Sequence, residues 1–341
     1  MIDYPAHLEM MWQKAIAPRE PNAPTVISTF AGGGGSSTGY MMAGFRELLA
    51  VEWDDNAVQT LRLNYPHLDI YHGDIAKLSV EEVLRRTGLQ VGQLDVFDGS
   101  PPCQGFSTAG KRDFDDDRNQ LFREYVRLLR GLQPKVFVME NVSGMVKGKM
   151  KLIFADILRE LKASGYKVSA RLLNAMYFHV PQSRERMIFI GVREDLGIEP
   201  SHPKAESRPI AVRAALQMAP HSEVRPISNR AAMMWEKIPA GKNGKTASGP
   251  NKDFSLFKLS PDSVCPTIRK GQTAGNGIMH WSEKRYLSTS ENSRIGSFSD
   301  KYKWFGDSTD VVQRIGNSVP PLFMEAIARH IRTQILDGLT L

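Results

Sequence analysis

The fold is decided by residues 25–39, which read TVISTFAGGGGSSTG. The first part is a short apolar, β-branched run that suits a buried strand, and the four glycines after it suit a tight turn. Glycines permit positive φ angles and a close approach of the backbone to a ligand, and a helix after the turn offers free N–H groups. The stretch therefore predicts a strand, a turn and a helix that hold a nucleotide-like cofactor.

The spacing of these glycines disfavours a dinucleotide. A Gly-x-Gly-x-x-Gly frame that starts at Gly32 meets Ser37, and one that starts at Gly33 meets Thr38. The fingerprint for binding a pyrophosphate is therefore absent. The absent fingerprint disfavours a nicotinamide-dependent oxidoreductase. Binding of NAD to the protein would favour that alternative again.

Acidic and aromatic residues after the glycines suit a different cofactor. Glu52 ends the second predicted strand, where an acidic side chain can accept the hydroxyls of a ribose. Trp53 could stack on an adenine, and Asp74, which follows Gly73, could accept from an exocyclic amine. A glycine loop, a ribose acid and an adenine acid in this order suit S-adenosylmethionine.

Predicted strands and helices alternate through the first half of the chain. Further strands are predicted at 48–52, 94–98, 136–140 and 186–192, and helices at 119–130 and 151–163. This alternation predicts an α/β fold with a doubly wound, mainly parallel sheet covered on both sides. Residues 1–24, with four prolines, are interpreted as an irregular lead-in. Residues 321–336 regain helical spacing, and we expect that helix to pack beside the first strand.

The composition and the periodicity of the sequence change near residue 193. Residues 193–284 contain scattered Pro, Gly, Asn, Lys and Ser and few long apolar runs. We interpret them as a small irregular domain inserted into a catalytic and cofactor-binding domain formed by 1–192 and 285–341.

Composition limits the class of protein. The chain of 341 residues is 41% hydrophobic, carries a net charge of +7 and has two cysteines. Two cysteines exclude a disulfide framework and a cysteine-based zinc site. No apolar run approaches the roughly 18 residues of a membrane span, and no signal peptide is apparent, so we expect a cytoplasmic protein without a membrane partner. The positive charge favours an anionic partner.

One cysteine stands in an unusual setting, in residues 98–107, which read DGSPPCQGFS. Cys103 follows a strand end, with two prolines before it and Gly105 after it. The prolines restrict the backbone before Cys103, and the glycine allows the backbone after it to move. This combination suits a nucleophile that is covered by a closing loop. Its thiol would need an electropositive setting to become a thiolate. A lone cysteine is more often an inert buried side chain, and we interpret Cys265 in that way.

The segment around Cys103 resembles the nucleophile motif of the DNA (cytosine-5) methyltransferase family, of the bacterial or phage restriction-modification type. Four further segments resemble motifs of that family in the same order: FAGGGG at 30–35, ENV at 140–142, VPQSRER at 180–186 and QRIGNSVPP at 313–321. The resemblance spans roughly residues 25–192 and 285–336. The sequence departs from the family at Ser28, where members often carry Asp, and fits the motif at 285–298 only loosely.

The resemblance implies a reaction and a set of site residues. Cys103 would add to carbon 6 of a flipped-out cytosine, Glu140 would hold ring nitrogen 3 and the amine, and Arg186 with Arg184 would bind the carbonyl oxygen. The implied cofactor is S-adenosylmethionine, and the implied partner is double-stranded DNA. We expect a monomer, with a companion restriction endonuclease. The cofactor contacts are predicted at Phe30, Gly32, Gly34, Gly35, Glu52, Trp53, Asp74, Ile75, Pro101, Asn317 and Ser318.

Two alternatives share these motifs. A transfer-RNA cytosine methyltransferase of the same build would carry a Cys-Phe-Thr signature, and neither cysteine here precedes Phe. A catalytically inactive DNA regulator would not need Cys103, Glu140 and Arg186 together. Each of these residues alone could be an ordinary charge or small side chain, but five motifs in order favour the enzyme.

Overall fold

The computed structural model describes residues 2–102, 120–146, 150–249, 255–271 and 275–339. The strands are β1 Thr25–Thr29, β2 Arg46–Glu52, β3 Ile70–His72, β4 Val96–Gly99, β5 Val136–Val142, β6 Tyr166–Asn174, β7 Gln182–Ser183, β8 Glu185–Arg193, β9 Lys242–Asn243, β10 Leu256–Lys258, β11 Cys265–Pro266 and β12 Gly277–Met279. The helices are α1 Tyr4–Ile16, α2 Gly35–Met42, α3 Asp55–Asn64, α4 Val80–Thr87, α5 Gln120–Leu132, α6 Met150–Lys162, α7 Val212–Ala215, α8 Asn229–Lys237, α9 Lys245–Ser248, α10 Thr289–Ile295, α11 Ser308–Asn317 and α12 Pro321–Ile331.

A seven-stranded sheet with the order β3-β2-β1-β4-β5-β8-β6 forms the centre of the molecule. Strands β1 to β5 are parallel, and β8 runs antiparallel to both β5 and β6. The chain proceeds outward from β1 to β3 and then returns to β4 on the other side of β1. Ligands of open α/β sheets bind at such a reversal, beyond the carboxyl ends of the strands. The predicted mainly parallel α/β fold is confirmed.

Two apolar layers cover the sheet. Val26, Val96 and Val138 face the layer that contains α1, α2 and α12. Phe97 and Phe137 face the opposite layer, which contains α5 and α6. The strands at the centre are buried on both faces because each connection places a helix on one of them. This is the reason that β1 reads as a continuous apolar and β-branched run.

The interpretation of residues 1–24 as irregular was wrong for the part that forms α1. The side chain of Asp3 accepts from the N–H of Ala6 and caps the helix, and Pro5 lies in its first turn, where proline costs no hydrogen bond. Leu8 and Trp12, one turn apart, are buried on the same face. The prolines suggested an irregular segment, but the others in this segment lie beyond the helix.

The C-terminal helix also differs from the expectation. We predicted that it packs beside the first strand, but α12 lies mainly on α2, the helix that follows that strand. The contact is close because Gly39 has no side chain: a Cβ atom there would lie 2.6 Å from the Cβ of Met324. The C-terminal helix is thereby held against the helix that begins at the glycine loop.

Residues beyond β8 form smaller units. Strands β12, β10 and β9 make a three-stranded sheet, and β11 pairs with β7 in parallel. Leu259 and Ile268 from this region share an apolar cluster with Val311 and Ile315 of α11. The proposed domain limits at 193 and 284 stay a prediction. Within the described ranges, no helix is long and apolar enough to cross a membrane.

Candidate active site

An acidic and a basic side chain, Glu140 and Arg186, meet at the carboxyl end of β5. Arg186 stands opposite Val142 in the antiparallel pair of β8 and β5, which makes it the diagonal neighbour of Glu140. The Nε atom of Arg186 lies 2.5 Å from Oε1 of Glu140. Their side chains are only 14% and 12% exposed, so both charges are largely shielded from water. The pair presents fixed donors and acceptors at one point, as a site that binds a polar ring requires.

Arg184 is placed differently from the sequence prediction. We predicted that it would join Arg186 at the carbonyl oxygen of the base, but its Nη1 and Nη2 atoms donate to the backbone oxygens of Ile268, at 3.3 Å, and Gly316, at 3.0 Å. Burial, aided by the charge of Arg186, lowers the pKa of Arg184 to about 9. A strand period of two would put residues 184 and 186 on one face, but Arg184 lies between β7 and β8. It joins two backbone segments.

The segment that leads to the predicted nucleophile is fixed by a residue that the sequence analysis did not assign. Asn141 is 4% exposed, and its Nδ2 atom donates to the backbone oxygen of Pro101 at 3.2 Å. Pro101 is buried beside the end of β4. The signal was present, because Asn141 stands within the ENV motif between Glu140 and Val142. Cys103 lies outside the described residues.

The glycine loop is shaped by packing as well as by backbone conformation. Phe30 has a φ of 55°, which is rare for a residue with a side chain and occurs where surrounding structure enforces it. Gly34 has a φ of 79° and lies against Tyr302, whose hydroxyl donates to the oxygen of Gly33 at 2.7 Å. A Cβ atom on Gly35 would lie 2.0 Å from the backbone oxygen of Val319. Ligand contact was predicted for these glycines, and the fold itself requires two of them, Gly34 and Gly35.

The carboxylate of Glu52 fastens the glycine loop to the end of β2. Its Oε2 accepts from the N–H of Gly32 at 2.6 Å, and its Oε1 accepts from the N–H groups of Trp53 and Asp54, both at 2.9 Å. A carboxylate has about four acceptor positions, so one remains for a ligand hydroxyl. Next to this buried acid, Trp53 is 78% exposed. An acceptor and an accessible aromatic face therefore adjoin each other at the predicted cofactor site.

The next predicted cofactor residues follow β3. Asp74 accepts from the N–H of Ala76 at 3.0 Å and caps a short 3-10 helix, while Ile75 in that helix is 5% exposed. The cap fixes the direction of Asp74, and the second oxygen of its carboxylate keeps acceptor capacity.

The C-terminal motif closes the other side of the loop. Arg314 binds Asp54, with 2.7 Å between Nη2 and Oδ2, and Ser318 donates to the oxygen of Arg314 at 2.8 Å. Ser318 is buried beneath Gly33, whereas Asn317, the last residue of α11, is exposed. The roles of Arg314 and Asp54 were not predicted, although Arg314 lies within the quoted motif at 313–321.

Comparison with known sequences identifies the family. The profile of the C-5 cytosine-specific DNA methylases matches residues 24–333. The type II methyltransferase M1.HphI of Haemophilus parahaemolyticus is 35% identical over 329 residues, which cover 90% of this chain and 86% of the relative. The type II methyltransferase M.DdeI of Desulfomicrobium norvegicum is 31% identical, covering 90% of this chain and 88% of the relative. The chain belongs to the C-5 cytosine-specific DNA methylase family and is a DNA (cytosine-5) methyltransferase.

A solved structure supports the fold. A protein described as a DNA modification methyltransferase encoded within an E. coli prophage superposes with a TM-score of 0.76, over 92% of this chain and 100% of that one. At 23% identity this likeness concerns the fold.

Proposed function

We propose that this enzyme transfers a methyl group from S-adenosylmethionine to carbon 5 of a cytosine within a specific double-stranded DNA sequence. We further propose that Cys103 forms a covalent adduct with the flipped-out base. The observation that carries the proposal is the shielded pair of Glu140 and Arg186, with Nε and Oε1 2.5 Å apart. It lies next to Asn141, which holds the segment leading to Cys103 through the oxygen of Pro101.

The residues present fit S-adenosylmethionine, which supplies an electrophilic methyl group when bound. Trp53 offers an exposed aromatic face for the adenine, Glu52 keeps an acceptor for the ribose hydroxyls, and Asp74 can accept from the exocyclic amine. The remaining proposed contacts are Phe30, Gly32, Gly34, Gly35, Ile75, Pro101, Asn317 and Ser318.

The protein residues would activate the cytosine in two ways. The thiolate of Cys103 adds to carbon 6 and forms a carbon–sulfur bond, and the electron pair displaced from the double bond makes carbon 5 nucleophilic. Glu140 hydrogen-bonds ring nitrogen 3 and the amine, while Arg186 reaches the carbonyl oxygen, so that the charge that builds on the ring is neutralised. After methyl transfer, a base removes the proton from carbon 5, the electrons of that bond re-form the double bond between carbons 5 and 6, and the carbon–sulfur bond breaks to release the thiolate.

The DNA would lie between the sheet and residues 193–284, which we propose as the target recognition domain. Residues 265–271 are tied to the catalytic part at several points: Thr267 donates to the oxygen of Ser183 at 2.7 Å, and Arg184 binds the oxygen of Ile268. Arg269 and Lys270, which follow, are exposed. They can bind phosphates next to the flipped base, whose removal from the stack costs a few kcal/mol.

We also propose that the enzyme acts in the cytoplasm as a monomer, because one chain carries the whole set of predicted catalytic and cofactor residues. The type II names of the relatives support a companion restriction endonuclease of the same specificity.

The test is covalent capture by duplex DNA in which the target cytosines are replaced by 5-fluorocytosine, with S-adenosylmethionine present. Fluorine at carbon 5 cannot leave as a proton does, so the wild-type protein should remain attached to the DNA. Cys103→Ser should form no adduct and should abolish methylation seen by bisulfite sequencing. The matched control is Cys265→Ala, because the thiol of Cys265 is buried in an apolar cluster and its loss should leave capture intact.

Capture by Cys103→Ser, or none by the wild-type protein, would contradict the mechanism. Preferential capture by transfer RNA that contains 5-fluorocytosine would favour an RNA methyltransferase instead.

A further inference from the structure

Two acidic side chains hold helix α2 from beneath. Asp98 in β4 is 3% exposed, and its Oδ1 accepts from the hydroxyl of Tyr40 at 3.2 Å. Glu47 in β2 accepts from the hydroxyl of Ser37 through Oε1 at 2.7 Å. Tyr40 and Ser37 both belong to α2, the helix that begins at the glycine loop. The position of that helix therefore depends on two carboxyl groups from two different strands.

Asp98 lies beside Ser28 in the central sheet. In the parallel pair of β1 and β4, Ser28 is the direct partner of Asp98. Partners in neighbouring strands point to the same face, here the face that carries Val26 and Val96 toward α2. Ser28 is the position at which the sequence departs from the Asp that is frequent in the family. An acidic group at 98 reaches the same space from the adjacent strand.

Among the described residues, the groups that shift the pKa of these two acids lie in the neighbouring strands and in α2. Burial raises the pKa of Asp98 well above its usual value, the charges of Glu47 and Glu140 raise it further, and the hydroxyls of Tyr40 and Ser36 oppose this. Burial raises the pKa of Glu47 to about 7, against the opposing effect of the hydrogen bond from the Ser37 hydroxyl.

Two atoms of this cluster, Oγ of Ser28 and Oε2 of Glu47, are buried and find no hydrogen-bond partner in the part of the chain that the structure describes. Because the charge of Glu47 raises the pKa of Asp98, ionising both acids at once is costly.

We propose that Asp98 is a positioning residue that supplies from β4 the acid absent at position 28, and that Asp98 and Glu47 together hold α2 and the cofactor loop in place through Tyr40 and Ser37. Because β4 also leads to Cys103, the same residue joins the cofactor side of the site to the nucleophile side. The inference rests on the proposed binding of S-adenosylmethionine.

Moving the acid between the two strands tests this directly. The wild-type protein, Ser28→Asp, Asp98→Ser and the double variant are titrated calorimetrically with S-adenosylhomocysteine, a probe that cannot react. Ser28→Asp adds a third acid to the cluster, and Asp98→Ser removes the partner of Tyr40. We expect each single variant to bind about tenfold more weakly, and the double variant to return to within about threefold of the wild-type protein.

If the double variant shows the product of the two single losses in affinity, about a hundredfold, the inference is wrong. If Ser28→Asp does not fold, recovery of a cooperative thermal transition in the double variant supports the exchange, and failure to recover contradicts it.

A pH profile separates this role from simple packing. Wild-type affinity for S-adenosylhomocysteine should fall by about threefold or more between pH 6 and pH 8, and Glu47→Gln, which cannot ionise, should show no such fall. A parallel decline in both proteins would contradict the role of Glu47. Absence of any binding by the wild-type protein would count against the proposed function itself, whereas binding without rescue or pH dependence would count against this inference alone.

Discussion

The two halves of the site are built by different physical means. The cofactor side depends on close packing and buried polar contacts: Gly35 abuts Val319, and Glu52 accepts from the N–H of Gly32. The base side depends on one shielded ion pair, Glu140 with Arg186. The closely packed glycine loop tolerates almost no added side-chain volume. In the ion pair, by contrast, a substitution can remove the charge and keep the size of the side chain. Substitutions on the two sides should therefore differ in what they damage, stability and cofactor affinity on one side and the chemical step on the other.

The largest effect is expected at the ion pair. Glu140→Gln keeps the size of the side chain but removes the charge that stabilises the protonated ring, so kcat should fall by about 10²- to 10³-fold. Affinity for S-adenosylhomocysteine should stay within about twofold of the wild-type value. Single-turnover methylation and calorimetry measure the two quantities. A loss of cofactor affinity as large as the loss of rate would remove the distinction between the two halves.

The next effect tests packing at the cofactor loop. A Cβ atom on Gly35 would lie 2.0 Å from the oxygen of Val319, so Gly35→Ala must displace backbone. We expect a loss of about 2–4 kcal/mol in the free energy of unfolding, together with weaker cofactor binding. Denaturant titration measures the stability. The control is Gly338→Ala, because nothing lies within 4 Å of a Cβ atom there. If the two variants have equal free energies of unfolding, the backbone around Gly35 can shift at little cost.

Arg184 joins the two halves, and its removal should have a smaller effect. Arg184→Met keeps much of the volume but frees the backbone oxygens of Ile268 and Gly316. We expect a loss of about 1–3 kcal/mol in the free energy of unfolding, and a KM for DNA that rises more than kcat falls. Steady-state kinetics at fixed salt measures both. A fall in kcat as large as that of Glu140→Gln would instead place Arg184 at the base.

The smallest effect concerns pH. Because burial raises the pKa of Glu47 from 4.5 to about 7, the folded protein keeps a proton that the unfolded chain releases at lower pH. The free energy of unfolding therefore decreases by about 1–3 kcal/mol as the pH rises from about 4.5 to about 7.

Glu47→Gln should remove this dependence, so its stability relative to the wild-type protein should be greater at pH 8 than at pH 5. The exposed Glu20→Gln serves as the control, and thermal unfolding at both pH values measures the difference. The same difference in both variants would refute the assignment to Glu47.

Much of the fold could be predicted because it depends on local pattern. The β-branched run of β1 and the glycines after it indicated a strand and a turn, and the alternation of strands with helices indicated the mainly parallel sheet. Strand β6 was missed because its residues alternate with many polar side chains at the sheet edge. Helix α1 was missed because four prolines outweighed the helical spacing of Leu8 and Trp12, although only Pro5 lies inside the helix.

By itself the sequence determined the class of fold, the family resemblance and the order of the motifs, because strand and helix periods and motif spacing are local properties of a chain. It could not determine that Arg184 turns away from Arg186, or that Asn141 holds Pro101, since these contacts depend on which segments meet in space. The pairing of positions 28 and 98 is the clearest case. These residues are 70 positions apart in the chain and direct partners in the sheet, and only the register of β1 with β4 brings them together.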